Sequence, residues 1–411
     1  MKMRMVSLGD VADFLTGFPF KSKDYSQDGS GIRLLRGDNI GQGFLRWDGA
    51  KLWPHHSAED YDKFKLKPGD VVLAMDRPWI EAGLKYSVVN DADLPALLVQ
   101  RVTRLRGTES LNTGYLRYLI GSQEFTEHVH TVSTGTAVPH ISGRDILAFE
   151  FELPEVEAQK EIARILGALD DKIQLNRRMS ATLEEMARAL YRSWFVDFDP
   201  VHARALGQPP AHMDAATAAL FPDSFDLNGL PKGWERKRLG DLVVLNYGKA
   251  LKKELREPGP YPVYGSGGTD TTHAQALVKH PTIIVGRKGT VGSVMWEPRG
   301  CWPIDTTFYV TAEIPMSFVL NALQQLPLAD MNTDAAVPGL NRENAYRLEV
   351  AFPEVSILKA FDRVAADWRA KIDQAAVENR TLATIRDALL PRLMSGELRI
   401  REAEKQVEEV A

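Results

Sequence analysis

The sequence predicts an α+β protein: two globular units of mixed and antiparallel strands with helices, joined through two long helices. Three observations carry that expectation. Part of the first half of the chain returns in the second half at a fixed offset. Two stretches with few prolines show the apolar spacing of a helical seam. Ahead of the first of them, short apolar runs alternate with turn residues.

The repeat is the strongest of the three. Thr136-Ala137-Val138-Pro139-His140-Ile141 returns as Ala335-Ala336-Val337-Pro338-Gly339-Leu340, 199 positions later. At the same offset Pro154-Glu155-Val156 meets Pro353-Glu354-Val355, Lys172-Ile173 meets Lys371-Ile372, and Leu183, Met186 and Leu190 meet Leu382, Ile385 and Leu389. A register held this long without a gap means two copies of one structural unit. Such a molecule can carry a pseudo-two-fold axis suited to a bipartite target.

Residues 1–153 form the first globular unit. Ile32-Arg33-Leu34-Leu35-Arg36 runs into Gly37-Asp38, and Lys67-Pro68-Gly69-Asp70 precedes Val71-Val72-Leu73-Ala74, the pattern of short strands with tight turns. Leu116, Leu119 and Ile120 share a face of a helix expected around 114–128. In the first long helix, 154–197, Ile162, Leu166, Leu169 and Ile173 alternate steps of four and three. The seam continues through Asn176 and Ser180 to Leu183, Ala187, Leu190 and Trp194, behind a proline that marks a helix start. At ~1.5 Å per residue such a helix runs to roughly 60 Å. Residues 198–232 are a connector broken by prolines, with a short helix expected around 214–220.

The second globular unit, 233–352, opens on Leu239-Gly240-Asp241, an echo of Leu8-Gly9-Asp10. That echo stands at an offset of 231 against 199 further on, so the second unit is 32 residues shorter while the helices match. The second helix, 353–395, repeats the seam as Phe361, Ala365, Trp368, Ile372, Ala375, Asn379, Leu382, Leu389 and Leu393, and Pro391 is expected to kink or end it. Two single helices of this length are unstable alone in water, so the seams are expected to pack on each other. Asn176 and Asn379 either fix the register of an antiparallel pair or face solvent at a stutter. The charged tail, 396–411, is expected to be a solvated or frayed helix.

Composition narrows the function. The hydrophobic fraction of 44% and charged fraction of 26% are those of a soluble globular chain, and no apolar run approaches the ~18–20 residues that span a bilayer. The start, Met1-Lys2-Met3-Arg4-Met5, is not followed by the apolar core of a secretory signal. The single cysteine, Cys301, fits a reducing cytoplasm. A net charge of −5 argues against a freestanding nonspecific nucleic-acid binder, so cations must be clustered or supplied by a partner.

No catalytic pattern is present. The only Pro-Pro follows Gln208, unlike the Asn/Asp/Ser-Pro-Pro-aromatic tetrad of amino-methyltransferases. Gly265-Ser266-Gly267-Gly268 lacks the Gly-Lys-Ser/Thr of a phosphate loop and reads as a hairpin turn, and Gly286 to Gly292 reads as a basic hairpin or a plain surface turn. The histidines do not take zinc-finger spacing, and no Gly-x-Ser-x-Gly elbow occurs. For DNA contact the candidates are Lys21, Lys23, Arg33, Arg36, Asn39, Arg77, Thr134, Thr136 and His140 in the first unit. In the second they are Lys249, Lys252, Lys253, Arg287, Lys288, Asn332 and Asn341. Arginine donates in a fork that matches guanine, and asparagine matches adenine.

Taken in order, these features resemble the specificity subunit of type I restriction-modification systems over essentially the whole chain. The resemblance rests on the paired Leu-Gly-Asp openings and on the Ala-Val-Pro segment before each helix. It rests too on Leu153-Pro154-Glu155 with Gln159 and Ile162, Asn176-Arg177, Trp194-Phe195-Val196-Asp197-Phe198, and Pro231-Lys232-Gly233-Trp234-Glu235. The second helix departs from the pattern by opening Pro353-Glu354-Val355-Ser356 without the Glu-Gln pair. The resemblance implies two target recognition domains, each reading half of a bipartite double-stranded DNA site, and an antiparallel coiled coil that sets the half-site spacing. It implies docking of two adenine methyltransferase subunits and of restriction subunits, with S-adenosylmethionine, ATP and Mg on those partners and no cofactor on this chain. A self-contained methyltransferase or nuclease, and a scaffold joining protein-binding domains without DNA, are the competing expectations.

Overall fold

The computed structural model describes residues 3–55, 59–80, 83–135, 139–331 and 339–408, so Thr136 and Asn332 lie outside the described residues. The chain divides into two compact units, Met1–Gln174 with Asn379–Ala411, and Leu175–Glu378. Both divisions fall inside the long helices.

The first unit opens with β1 (Met3–Ser7), α1 (Leu8–Val11), β2 (Ala12–Thr16), β3 (Ile32–Leu35), β4 (Leu52–Trp53) and β5 (Val71–Ala74). The paired β6 (Trp79–Ile80) and β7 (Gly83–Leu84) precede β8 (Tyr86–Val88), β9 (Ala96–Leu98) and β10 (Val102–Gly107). Then come α2 (Thr113–Ile120), α3 (Gln123–Val132), α4 (Gly143–Leu147), β11 (Glu150–Pro154) and the long α5 (Val156–Phe195). The second unit takes up α6 (Asp199–Ala205), α7 (Ala215–Ala218), β12 (Glu235–Arg238), α8 (Leu239–Leu242) and β13 (Val243–Tyr247). It continues with β14 (Tyr261–Gly265), β15 (Gly268–His273), β16 (Thr282–Gly286), β17 (Val294–Glu297), β18 (Trp302–Pro303) and β19 (Thr307–Ala312). Helices α9 (Met316–Gln325) and α10 (Arg342–Tyr346), strand β20 (Glu349–Phe352) and the long α11 (Val355–Met394) follow, and α12 (Ile400–Glu408) returns to the first unit.

The duplication extends to the strand pairing of the sheets. Each unit has an antiparallel four-stranded sheet, β2-β10-β5-β8 in one and β13-β19-β16-β17 in the other. Each has a three-stranded sheet with one parallel pair, β4-β3-β9 and β15-β14-β18. Each closes its first strand on the strand before the long helix, β1 on β11 and β12 on β20. Among the described residues the β6–β7 pair has no counterpart in the second unit.

One crossing recurs in both units and needs glycine. A Cβ on Gly17 would collide with the carbonyl of Val99, and one on Gly248 with that of Ile304. This close approach lets Gly17 N donate to Val102 O at 3.0 Å and Phe18 N to Leu98 O at 3.0 Å. In the second unit Gly248 N and Lys249 N donate to Thr307 O at 3.1 Å and Pro303 O at 2.9 Å.

Side-chain caps explain the helix starts. Asn112 accepts from Tyr115 N at 3.0 Å to start α2, and Ser122 accepts from Phe125 N at 3.1 Å to start α3. The single helix expected around 114–128 is therefore two helices, because Ser122 forms a new cap once Gly121 has ended α2. At the start of α5 the fully buried Gln159 accepts from Asn112 N at 2.7 Å and donates to Ser110 O at 2.9 Å and Pro154 O at 2.8 Å. That amide satisfies three backbone groups where the helix meets the sheet domain.

The helix seams enter the cores of the two units. Ile162, Leu166, Leu169 and Ile173 of α5 and Leu382, Leu389 and Leu393 of α11 share one core with Leu73 and Leu105 of the sheet and with Tyr115, Leu116 and Phe125. In the second unit Tyr191, Trp194, Phe195 and Phe361 pack with Phe318, Phe221 and Trp234, while Leu183, Leu190 and Trp368 are half-buried and Ile372 is buried. Such aromatic burial contributes on the order of 2–3 kcal/mol per ring. Within the second unit, Asn176, buried, donates to Glu378 at 2.8 Å and Glu184 accepts from Arg369 at 3.3 Å, so these segments of α5 and α11 run antiparallel. Asn176 thus takes the interhelical role and does not face solvent.

Other expectations need correction. The helix continues through Pro391 to Met394 and stops where Gly396 turns left-handed (φ 73°), because a proline in the last turn removes only one ladder bond. The tail is docked on one face and solvated on the other: Leu398 and Ala403 are buried in the first core and Glu404 pairs with Arg164, while Arg401, Glu402, Lys405 and Gln406 are exposed. In the connector, α7 forms within the expected stretch behind the Asp214 cap, and α6 forms with Pro200 in its first turn, where proline is tolerated.

In the first unit Asp170 of α5 accepts from Arg117 and from the Tyr118 hydroxyl (2.7 Å) of α2, and from Arg386 of α11 (2.7 Å). Burial alone would raise the Asp170 carboxyl, but Arg117, Arg386 and the Tyr118 hydroxyl outweigh it and hold it below the usual carboxylate range. We expect Asp170→Asn to destabilise the chain by about 2 kcal/mol in urea denaturation, since two guanidiniums lose their anion. The carboxylate's contribution is present at neutral pH and lost as pH falls through its depressed pKa, so the variant should lack that part of the acid-induced loss. An unaltered urea midpoint and acid profile would refute this assignment.

Candidate nucleic-acid interface

In the first unit, the chain leaving β5 is clamped on both sides. Met75 N donates to Arg101 O and Ile141 N donates to Met75 O, each at 2.9 Å, and Arg77 N donates to Pro139 O at 2.7 Å. The residues after β5 therefore open into a cleft of about 750 Å³. Arg36, Lys51, Arg77, Lys85 and Arg101 line it against two carboxylates, Asp38 and Asp76. Asp76 accepts from Arg101 at 3.0 Å and faces His140 Nδ1 at 2.6 Å, and Asp38 faces Arg36 at 3.2 Å. The acids are thus already engaged, and the cleft keeps a cationic excess in a chain of net negative charge.

The expected residues of this unit fall into three groups. Arg36 and Arg77 line the cleft, His140 borders it through Asp76, and Lys21 and Lys23 are exposed on either side of Ser22, which also lines it. Arg33 and Asn39 serve the fold. The Arg33 guanidinium donates to Ala92 O (3.1 Å) and Leu94 O (2.7 Å), and Asn39 accepts from Arg36 N and donates to Arg46 O, each at 3.0 Å. Thr134 is exposed and exchanges backbone bonds with His140 at 2.8 and 2.9 Å. Sequence inspection missed Lys51, Lys85 and Arg101. Each sits on a different strand or strand end, and no local pattern marks them.

The second unit builds its surface on the same frame with other side chains. Arg287 N and Lys288 N donate to Thr306 O (2.9 and 3.1 Å), and Leu340 N donates to Arg287 O (2.8 Å). The Arg287 and Arg342 guanidiniums lie 5.0 and 5.2 Å from the ring centre of Tyr247, which is half exposed at the end of β13. Lys288 is exposed on the turn between β16 and β17, which is a hairpin closed by Gly286 N donating to Ser293 O at 2.8 Å. Ser266 and Gly267 likewise form the β14–β15 turn, and Ser293 Oγ donates to Ser266 O at 2.7 Å, joining the two turns. Lys249, Lys252 and Lys253 are exposed on the loop after Gly248, anchored by Arg256 on Asp270 at 2.8 Å. Asn341 caps α10, accepting from Glu343 N (2.9 Å) and Asn344 N (3.2 Å). Arg342 beside it, which the sequence did not single out, shares the Tyr247 ring with Arg287.

Chemistry that makes or breaks bonds finds little here. Among the described residues no three of His, Cys, Asp or Glu converge as metal ligands. Cys301 is fully buried, and burial pushes its thiol up to about 12, far from a reactive thiolate. Among the described residues, no helix is long and apolar enough to cross a membrane.

A duplicated α+β frame with cationic surfaces at equivalent places defines a recognition protein. The family model for the type I restriction modification DNA specificity domain matches residues 2–185 and 231–344. The chain therefore belongs to that family: it is a type I restriction specificity subunit, the non-catalytic component that carries DNA sequence specificity. It is 26% identical to the HindI specificity subunit of Haemophilus influenzae across 95% of this chain and 98% of that one. It is 24% identical to the MjaIX specificity subunit of Methanocaldococcus jannaschii over 70% of this chain and 69% of that one. The S subunit of a type I system from M. genitalium shares the fold, with a TM-score of 0.55, 17% identity and 96% of each chain covered.

Tyr247→Ala removes the ring on which two guanidiniums rest. With each cation–π contact worth roughly 0.5–1 kcal/mol, we expect the DNA affinity of the assembled complex to fall about tenfold, with the thermal midpoint little changed because the ring is half exposed. Equal affinity of variant and wild type in a titration would show that the two arginines need no ring.

Proposed function

We propose that this chain reads a bipartite double-stranded DNA site, the first unit taking one half-site and the second unit the other. On this reading α5 and α11 act as the ruler between half-sites and dock two methyltransferase subunits, to which restriction subunits add. S-adenosylmethionine, ATP and Mg would be held by those partners, and the assembly would work in the cytoplasm.

The observation that carries the proposal is one backbone frame bearing different side chains. Matched backbone bonds put Met75 opposite Arg287, Arg101 opposite Thr306, and Lys85 opposite Ser293. Matched bridges put Asp76 opposite Lys288 and His140 opposite Gly339. Equivalent positions that differ in charge, shape and hydrogen-bonding sense cannot present the same donors to DNA, so two different half-sites are the natural reading. The ruler is supported by the helices, each 40 residues long while the units they serve differ in size.

Two outcomes test this. The complex with its methyltransferase should methylate DNA in a motif of two different half-sites separated by a fixed spacer, and methylation without such a preference would overturn the proposal. Deleting one heptad between Leu166 and Leu183, with its partner heptad in α11, should change the spacer and leave both half-sites as they were. An unchanged spacer would remove the ruler.

A further inference from the structure

We propose that Arg77 and Lys85 form a seat for one backbone phosphate of the DNA in the first unit, an anchor without an equivalent in the second. The inference rests on the DNA-reading role proposed above.

Lys85 is only 9% exposed and lines the cationic cleft. Its backbone is fixed, with Lys85 N donating to Pro78 O at 2.6 Å and Lys85 O accepting from Ala74 N at 3.0 Å. Among the described residues no carboxylate lies within ion-pair distance of its ammonium: Asp76 is taken by Arg101 and His140, and Asp38 faces Arg36. Its stem is buried while its ammonium opens on the cleft, and a partly desolvated ammonium without an anion is costly. Burial lowers its pKa, with Asp38 and Asp76 pulling the other way and Arg46 and Arg77 adding to the penalty.

Arg77 carries a second cost. It holds φ at 45°, a left-handed conformation that costs a non-glycine residue roughly 1–2 kcal/mol. The matching place in the second unit is Gly289, with φ 82°, where the conformation is free of that cost. Among the described residues the Arg77 guanidinium has no hydrogen bond or ion pair to offset the strain. An anion in the space the two side chains share would pair with the Lys85 ammonium, and its bonds to the Arg77 guanidinium would offset the backbone strain.

The shape of the cleft selects the anion. Base edges lie at the floor of the grooves and are met by protein elements that project, whereas phosphates ridge the outside of the duplex and enter a recess. A lysine held at the wall of a concave cleft is placed for the ridge. In the second unit the two positions are Gly289 and Ser293, and the Ser293 hydroxyl is already donated to Ser266 O at 2.7 Å.

The experiment is a salt titration of DNA binding by the assembled complex carrying Lys85→Met, Lys85→Arg or Arg77→Gly. Lys85→Met and Arg77→Gly should each flatten the dependence of log affinity on log salt by about one unit. They should weaken cognate and random duplexes by the same factor and leave the methylated motif unchanged. Lys85→Arg should keep the slope. Arg77→Gly should also melt no lower than wild type, which gives a folded variant whatever Lys85→Met does. An unchanged slope in Arg77→Gly, or loss of discrimination at one base of the first half-site at constant slope, would overturn the phosphate seat. A wild-type complex with no sequence preference would instead sink the half-site reading itself.

Discussion

Both units depend on one backbone crossing. At the end of the first sheet strand a glycine, Gly17 or Gly248, lies against a carbonyl of the segment before the last sheet strand. Only the absence of a Cβ permits that approach, and the bonds it allows hold the three-stranded and four-stranded sheets of each unit together. The loop that bears Lys21 and Lys23 follows Gly17, and the one that bears Lys249, Lys252 and Lys253 follows Gly248. The chain after β5 or β16 is caught between this corner and the segment before the short helix α4 or α10. The corner is common to both units, while the side chains it carries and the length of the chain after β5 or β16 differ.

The same separation appears in the energetics. Apolar contacts of the helix seams with the sheet domains supply the burial, and buried polar groups set where the helices meet them: Gln159 at the start of α5 and Asp170 between Arg117 and Arg386. These groups are fully engaged and hold one geometry. At the cleft the balance is reversed, with Lys85 buried and unpaired and Arg77 strained. Costs of this kind persist at binding sites, because the surrounding frame over-determines them and the ligand offsets them.

Much of the architecture was legible in the sequence. The 199-residue offset announced the duplication, and the seam from Ile162 to Ile173 marked residues that are buried. Period and repetition are local signals, so they survive in one dimension. The break at Gly121-Ser122 and the passage of α11 through Pro391 were misjudged, because a cap serine and a proline near a helix end are settled by their neighbours. The buried face of α12 was missed because most of that tail is charged, and its apolar residues Leu398, Ile400, Ala403 and Val407, which reach the core, are few.

The sequence by itself determined that there are two copies of one α+β unit, that each carries a long helix, and that the two globular parts have diverged. It marked Arg36, Arg77, Arg287 and Lys288 as candidates for DNA contact. Only the tertiary structure decided that Arg36 and Arg77 share a cleft with Lys51, Lys85 and Arg101, that Arg33 and Asn39 hold the fold, and that Tyr247 is flanked by two arginines. The physical reason is the sheet topology. A site gathered from the ends of five strands is made by non-local pairing, and the charge or exposure of each residue there depends on partners tens of positions away.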